Sequence, residues 1–141
     1  QFLFSIFLIF SLSFATQRVA FLLDAAGYDR VLIETAGVGQ TELDISRLAQ
    51  TVVVVLVPES GDEIQVLKAG ILEIAHLFCL NKSDRPEADL LYRELRESFA
   101  GQAQVLKTVA TTGAGVAELV DALDQEREKA HEQDAMFRWR E

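Results

Sequence analysis

The stretch Leu77-Phe78-Cys79-Leu80-Asn81-Lys82-Ser83-Asp84 changes character at its midpoint. Its apolar half, Leu77 to Leu80, predicts a short buried strand, and its polar half predicts the turn that ends it. The next apolar positions, Leu91, Leu95 and Phe99, recur at helical spacing and predict an amphipathic helix over Ala88–Phe99. Gln104 to Val109 then predicts another strand. A strand, a helix of about a dozen residues and a second strand form a βαβ unit, which requires a parallel sheet.

The same alternation runs outward from this point. Thr51 to Val57 reads TVVVVLV, the strongest strand signal in the chain, and its apolar residues on both faces predict a central parallel strand. Asp62 to Ala75 predicts a helix with Ile64, Leu67, Ile71, Ile74 and Ala75 inward, after a turn over Pro58–Gly61. Glu42 to Ala49 predicts a short helix, and Arg30 to Glu34 a buried strand that Gly37-Val38-Gly39 breaks. Val19, Leu22, Leu23 and Ala26 share one helical face, and Gly27 is placed to stop that helix. Gly115 to about Lys129 predicts a last helix with Val116, Leu119, Val120 and Leu123 inward. The fold class expected is α/β, a mostly parallel sheet with flanking helices.

Bulk composition narrows the function. The 141 residues suit one domain, and 50% hydrophobic content is enough for a core. A formal charge of −9 argues against a nucleic-acid or anionic-membrane binder. A nucleotide is not excluded, because helix N-termini and single lysines hold phosphates locally. One cysteine, Cys79, permits no intrachain disulfide and fits a reducing, cytoplasmic compartment. It is read as a small buried hydrophobe, and His76 as a surface or cap residue. Residues 1–16, QFLFSIFLIFSLSFAT, carry five phenylalanines and no charge. They are short for a membrane span and lack a basic leader region, so a targeting segment is the lesser expectation and a non-native start the greater.

Three loops that follow predicted strands carry the chemistry. Asp84 offers two acceptors, and guanine presents two donors on one edge, N1–H and the 2-amino group. Adenine lacks both, so it would leave that carboxylate unpaired. The stem of Lys82 can cover the base, and Asn81 can tie the loop to its neighbours. Taken alone, the tetrapeptide has a polar turn as its plainer alternative. In Glu34-Thr35-Ala36-Gly37-Val38-Gly39-Gln40, an acid at a strand end can hold Mg²⁺ through water, and the Gly37 N–H can approach a γ-phosphate. Val109 to Val116 is a strand-to-helix loop in which the Ala110 N–H, with Thr111 beside it, can meet the guanine O6. A generic turn is the plain alternative for each. Their order, each after a strand, matches the last three of the five motifs of a GTPase domain.

The segments LLDAAGYDRVLIETAGVGQTELDI (22–45), VVVLVPESGDEIQVLKAGILEIA (53–75), NKSD (81–84) and VLKTVATTGAGVAELVDAL (105–123) resemble the MeaB/ArgK group of methylmalonyl-CoA-mutase-associated GTPases. The resemblance runs from about Gln17 onward. It implies a P-loop GTPase that gates cofactor loading and protects an adenosylcobalamin-dependent mutase, with GTP or GDP and Mg²⁺ as ligands. It implies nucleotide contacts at Asn81, Lys82, Asp84, Ala110 and Thr111. It places Glu34 in the magnesium site and Glu34, Gly37 and Gln40 in the catalytic region. A switch over Pro58–Lys68 would offer Asp62, Gln65 and Lys68 to the mutase. Residues 17–130 would be the GTPase part, and 131–141 the start of a region through which the family forms homodimers.

One departure is plain. A phosphate-binding loop needs G-x-x-x-x-G-K-[ST], and the four lysines, at 68, 82, 107 and 129, are not in that setting. The chain is therefore expected to be an N-terminally truncated part of such a domain, without the P-loop strand. On its own it is expected to bind GTP weakly or not at all, with no turnover. The rival expectation is a degenerate, nucleotide-free interaction module, tethered to a membrane by residues 1–16.

Overall fold

In the computed structural model, residues 14–35, 48–59 and 74–138 are described, 14–15 and 131–138 as backbone only. The chain divides into two compact units, Gln1–Ala49 and Gln50–Glu141. The elements, in chain order, are α1 (Phe14–Ala25), β1 (Val53–Leu56), β2 (Leu77–Leu80), α2 (Ala88–Ser98), β3 (Gln104–Lys107) and α3 (Val116–Arg138).

In the first unit, α1 ends at the predicted glycine. Gly27 has φ +83°, its N–H donates to Asp24 O at 2.9 Å, and the Tyr28 N–H donates to Leu23 O at 3.2 Å. This paired pattern satisfies two of the carbonyls that a helix end leaves open, and a glycine enters the left-handed region without a Cβ penalty. The strand expected over Arg30–Glu34 is not formed: among the described residues it joins no ladder, and Leu32 is 51% exposed. An apolar run supplies faces to bury, but a strand also needs a neighbour for its backbone N–H and C=O groups.

The second unit holds a parallel sheet in the order β1-β2-β3. Val53 pairs with Leu77 and Leu56 with Leu80, and Leu77 pairs with Gln104 and Leu80 with Lys107. The α/β class with a parallel sheet is as expected, but the place of its strongest strand is not. β1 lies at an edge of the described sheet, with Val55 62% exposed. The central strand is β2, whose four residues are all buried. β-Branched composition marks a strand but does not specify its neighbours. Most of the helix expected over Asp62–Ala75, and of that over Glu42–Ala49, lies outside the described residues; Ile74 and Ala75, which are described, are not helical.

α2 forms as its spacing dictates. Ala88, Leu91 and Leu95, with the capping residue Phe99, point into the core beside Phe78, Leu80, Leu56 and Val105. Phe99 stacks on Phe78 with centroids 4.7 Å apart. Burying a leucine as fully as Leu95 contributes about 1.5–3 kcal/mol. Asp89 in the first turn and Arg96 in the last suit the helix dipole. His76 caps the other end of the sheet, its Nδ1 accepting the Val52 N–H at 3.1 Å.

α3 departs from expectation in length and facing. It continues past Lys129 to Arg138, and Val116 and Val120 are each 37% exposed. Among its described side chains the buried one is Ala122, with Leu119 and Leu123 half-buried. A small residue gives the closest approach, so the contact stripe is rotated from the bulkier valines.

Candidate functional site

Ligands of open α/β sheets bind beyond the carboxyl ends of the strands. β2 and β3 end side by side there, and the two loops that leave them are joined at several points. The Asn81 N–H donates to Leu56 O at 2.8 Å, carrying the end of β2 against β1. The Thr108 N–H donates to Leu80 O at 2.9 Å, and the Ser83 N–H to Thr108 O at 3.1 Å. Lys82 lies between them at φ +56°, the only non-glycine with positive φ among the described residues. Such backbone costs about 1–2 kcal/mol in an L-residue and persists where its surroundings enforce it.

The side chain of Asn81 makes the closest link. Its Oδ1 accepts the Thr108 hydroxyl at 3.2 Å and the Ala110 N–H at 3.1 Å. The 109–115 loop is closed on itself: the Val109 N–H meets Ala114 O at 2.9 Å, and Thr112 and Gly113 both donate to Val109 O. Gly115, at φ +73°, lets the start of α3 press against the end of β3.

The sequence-predicted residues fall into three groups. Asn81, Lys82, Asp84, Ala110 and Thr111 stand in these two adjoining loops, with Lys82, Asp84, Ala110 and Thr111 exposed. The Ala110 N–H, expected to face a ligand, is engaged by Asn81 in this structure. Glu34 belongs to the other unit, where it is an exposed carboxylate. Gly37, Gln40, Asp62, Gln65 and Lys68 lie outside the described residues. Thr108 was not singled out from the sequence, and nothing in its spacing marks it. It is 3% exposed and bridges both loops through backbone and hydroxyl.

Electrostatics at the site is local. Arg85, just past the polar turn, pairs with Glu59 beyond the end of β1. Lys107 pairs with Asp89 at 2.5 Å and lies 4.5 Å from the centre of the Tyr92 ring. The hydrogen bond and charge of Lys107, aided by Arg93, hold the Asp89 carboxyl below its ordinary value. Among the described residues no group of three or more His, Cys, Asp and Glu comes together to hold a metal. A single carboxylate such as Glu34 suits Mg²⁺ that keeps its waters and takes its other ligands from phosphates. No helix among the described residues is long and apolar enough to cross a membrane.

Residues 9–141 match the family model described as methylmalonyl Co-A mutase-associated GTPase MeaB. A putative GTPase of Pyrococcus horikoshii is 42% identical over 126 residues, covering 82% of this chain and 40% of that protein. A probable GTPase of Mycobacterium bovis is 38% identical over 81% of this chain and 37% of its own length. The mouse methylmalonic aciduria type A homolog, mitochondrial, is 34% identical over 77% of this chain and 29% of its own length. The chain thus spans about two fifths or less of the length of these relatives. A family match over nearly the whole chain, with the two joined loops at the strand ends, leads to one statement: this chain belongs to the MeaB family of methylmalonyl-CoA mutase-associated GTPases.

Proposed function

We propose that this chain supplies the base-reading part of a GTPase that acts as a chaperone for an adenosylcobalamin-dependent acyl-CoA mutase, gating its cofactor loading and protecting it. The observation that carries the proposal is the single Asn81 oxygen that draws Thr108 and Ala110 together, bringing the polar turn after β2 against the loop after β3. In this reading Asp84 accepts guanine N1–H and the 2-amino group, and the Lys82 stem lies over the base. Ala110 and Thr111 flank O6. Charge-assisted hydrogen bonds of this kind contribute about 1.5–3 kcal/mol each. A site built around them rejects a base that leaves them unpaired by roughly 10⁴-fold.

Mg²⁺, when bound with GTP, would neutralise phosphate charge, and Glu34 would hold it through water. Gly37 and Gln40 would stand near the γ-phosphate. Asp62, Gln65 and Lys68 would face the mutase, whose involvement is supported by the family's description.

The base-reading claim is tested by nitrogen-15 NMR of the whole chain with GDP and ADP at millimolar concentration. GDP should shift Asn81, Lys82, Asp84 and Ala110, and ADP should not. Equal response to both nucleotides, or none to GDP, defeats it. The mutase claim is tested separately, by whether immobilised chain retains an adenosylcobalamin-dependent acyl-CoA mutase. No retention removes that part.

A further inference from the structure

Behind the two loops sits a buried group that the proposed function does not use. The Cys79 Sγ lies 3.2 Å from the Thr108 Oγ1, and both residues are more than nine-tenths buried, at 4% and 3% exposure. Thr108 has one hydroxyl proton. Asn81 Oδ1 is an acceptor only, so that proton is directed to Asn81. The Thr108 oxygen can then only accept from Cys79, whose S–H becomes the donor. The direction of every bond follows: Cys79 S–H to Thr108 Oγ1, Thr108 O–H to Asn81 Oδ1, and Ala110 N–H to the same Oδ1. Two donors converging on one end of the Asn81 amide fix that end as oxygen and turn the NH₂ end away.

We propose that Cys79 and Thr108 are positioning residues for base recognition, a thiol-to-hydroxyl relay that sets the orientation of the Asn81 amide and shares its oxygen with Ala110. The proposal rests on the guanine-site reading for its purpose, though not for its geometry. Its consequence is an exchange of partners. When a purine carbonyl takes the Ala110 N–H, Asn81 Oδ1 keeps the Thr108 hydroxyl and is not left unsatisfied, which would otherwise oppose binding. Without the thiol, the Thr108 oxygen loses the donor that anchors it where its proton reaches Asn81.

The experiment compares Cys79→Ser, Cys79→Val, Thr108→Ser and Thr108→Val in the whole chain. It reads hydrogen exchange of the Ala110 amide and the concentration of GDP that half-saturates the loop shifts. The two serine variants, which keep a donor, should stay near wild type. The two valine variants should expose the Ala110 amide about three- to tenfold, the scale of one buried hydrogen bond. They should weaken GDP by a similar factor. Exchange of the Leu95 amide, deep in the core, separates this from general loosening. A valine variant with an unchanged core and an unchanged Ala110 amide overturns the relay, as does unchanged GDP affinity where wild type responds to GDP. If Cys79→Val does not fold, Cys79→Ala replaces it under the same criteria. A wild-type chain indifferent to GDP defeats the guanine reading instead, and with it the relay's proposed purpose; the exchange data still decide the hydrogen-bond chain.

Discussion

Gly115 lies so close to the Lys107 carbonyl oxygen that a β-carbon there would overlap it. The obstacle is backbone, so no side chain can swing aside. The φ of +73° adds a second penalty for any L-residue. Gly115→Ala should cost about 3 kcal/mol in urea denaturation, since α3 must lift from β3. Gly113 has a similar φ of +79° but open space around its missing Cβ. Gly113→Ala should cost only about 1 kcal/mol, the backbone penalty alone.

Lys82 separates stability from recognition. Its positive φ suits glycine better than lysine. Lys82→Gly should leave the stability measured by urea denaturation unchanged or raise it, by up to about 1 kcal/mol. The same change should weaken the GDP response, because the stem proposed to cover the base is gone. A variant that loses both stability and GDP response equally would show that the lysine serves the fold.

Asp84 gives a test by exchange of specificity. Xanthine carries a carbonyl where guanine carries its 2-amino group, and asparagine has one acceptor and one donor where aspartate has two acceptors. Asp84→Asn should weaken GDP binding by about 100-fold and favour xanthosine diphosphate. Competition between the two diphosphates, followed on the loop signals, measures the change. A variant that still prefers GDP would show that Asp84 does not read the base edge.

The pH dependence of Asp89 has a definite sign. Its carboxyl is held below the ordinary value of 3.8, chiefly by the hydrogen bond and charge of Lys107. A depressed pKa in the folded chain stabilises it above the unfolded value, and the benefit disappears as pH falls through the folded one. Asp89→Asn should therefore lower stability slightly at pH 7 and leave it equal to wild type once Asp89 is protonated. The group is on the surface, so added salt should shrink the difference. Paired melts at neutral and strongly acid pH check both effects.

The elements most legible from sequence were those whose pattern depends on near neighbours. The Gly27 helix stop and the inward face of α2 need only local spacing and a left-handed glycine. The Leu77–Leu80 strand was legible because every residue in it is apolar and the polar turn cuts it off sharply. Partnership was not legible. Arg30–Glu34 has strand composition but no ladder among the described residues, and the valine-rich β1 lies at an edge of the described sheet. The loops that hold Asn81 and Ala110 were found by their order after strands. The bond between them, and Thr108 and Cys79 behind them, were not, because those contacts cross 27 to 29 residues of sequence.

The polar turn after β2 has no slack of its own. On one flank its first amide is fastened to Leu56, and Arg85 to Glu59; on the other, Ser83 and Asn81 are fastened to Thr108. Displacing the end of β1 therefore strains the turn as well. Binding free energies are reciprocal, so a base that holds the turn in place resists the same displacement by the same amount. On the proposed guanine reading, a pull at the end of β1 and a base in the turn would oppose each other through these bonds alone.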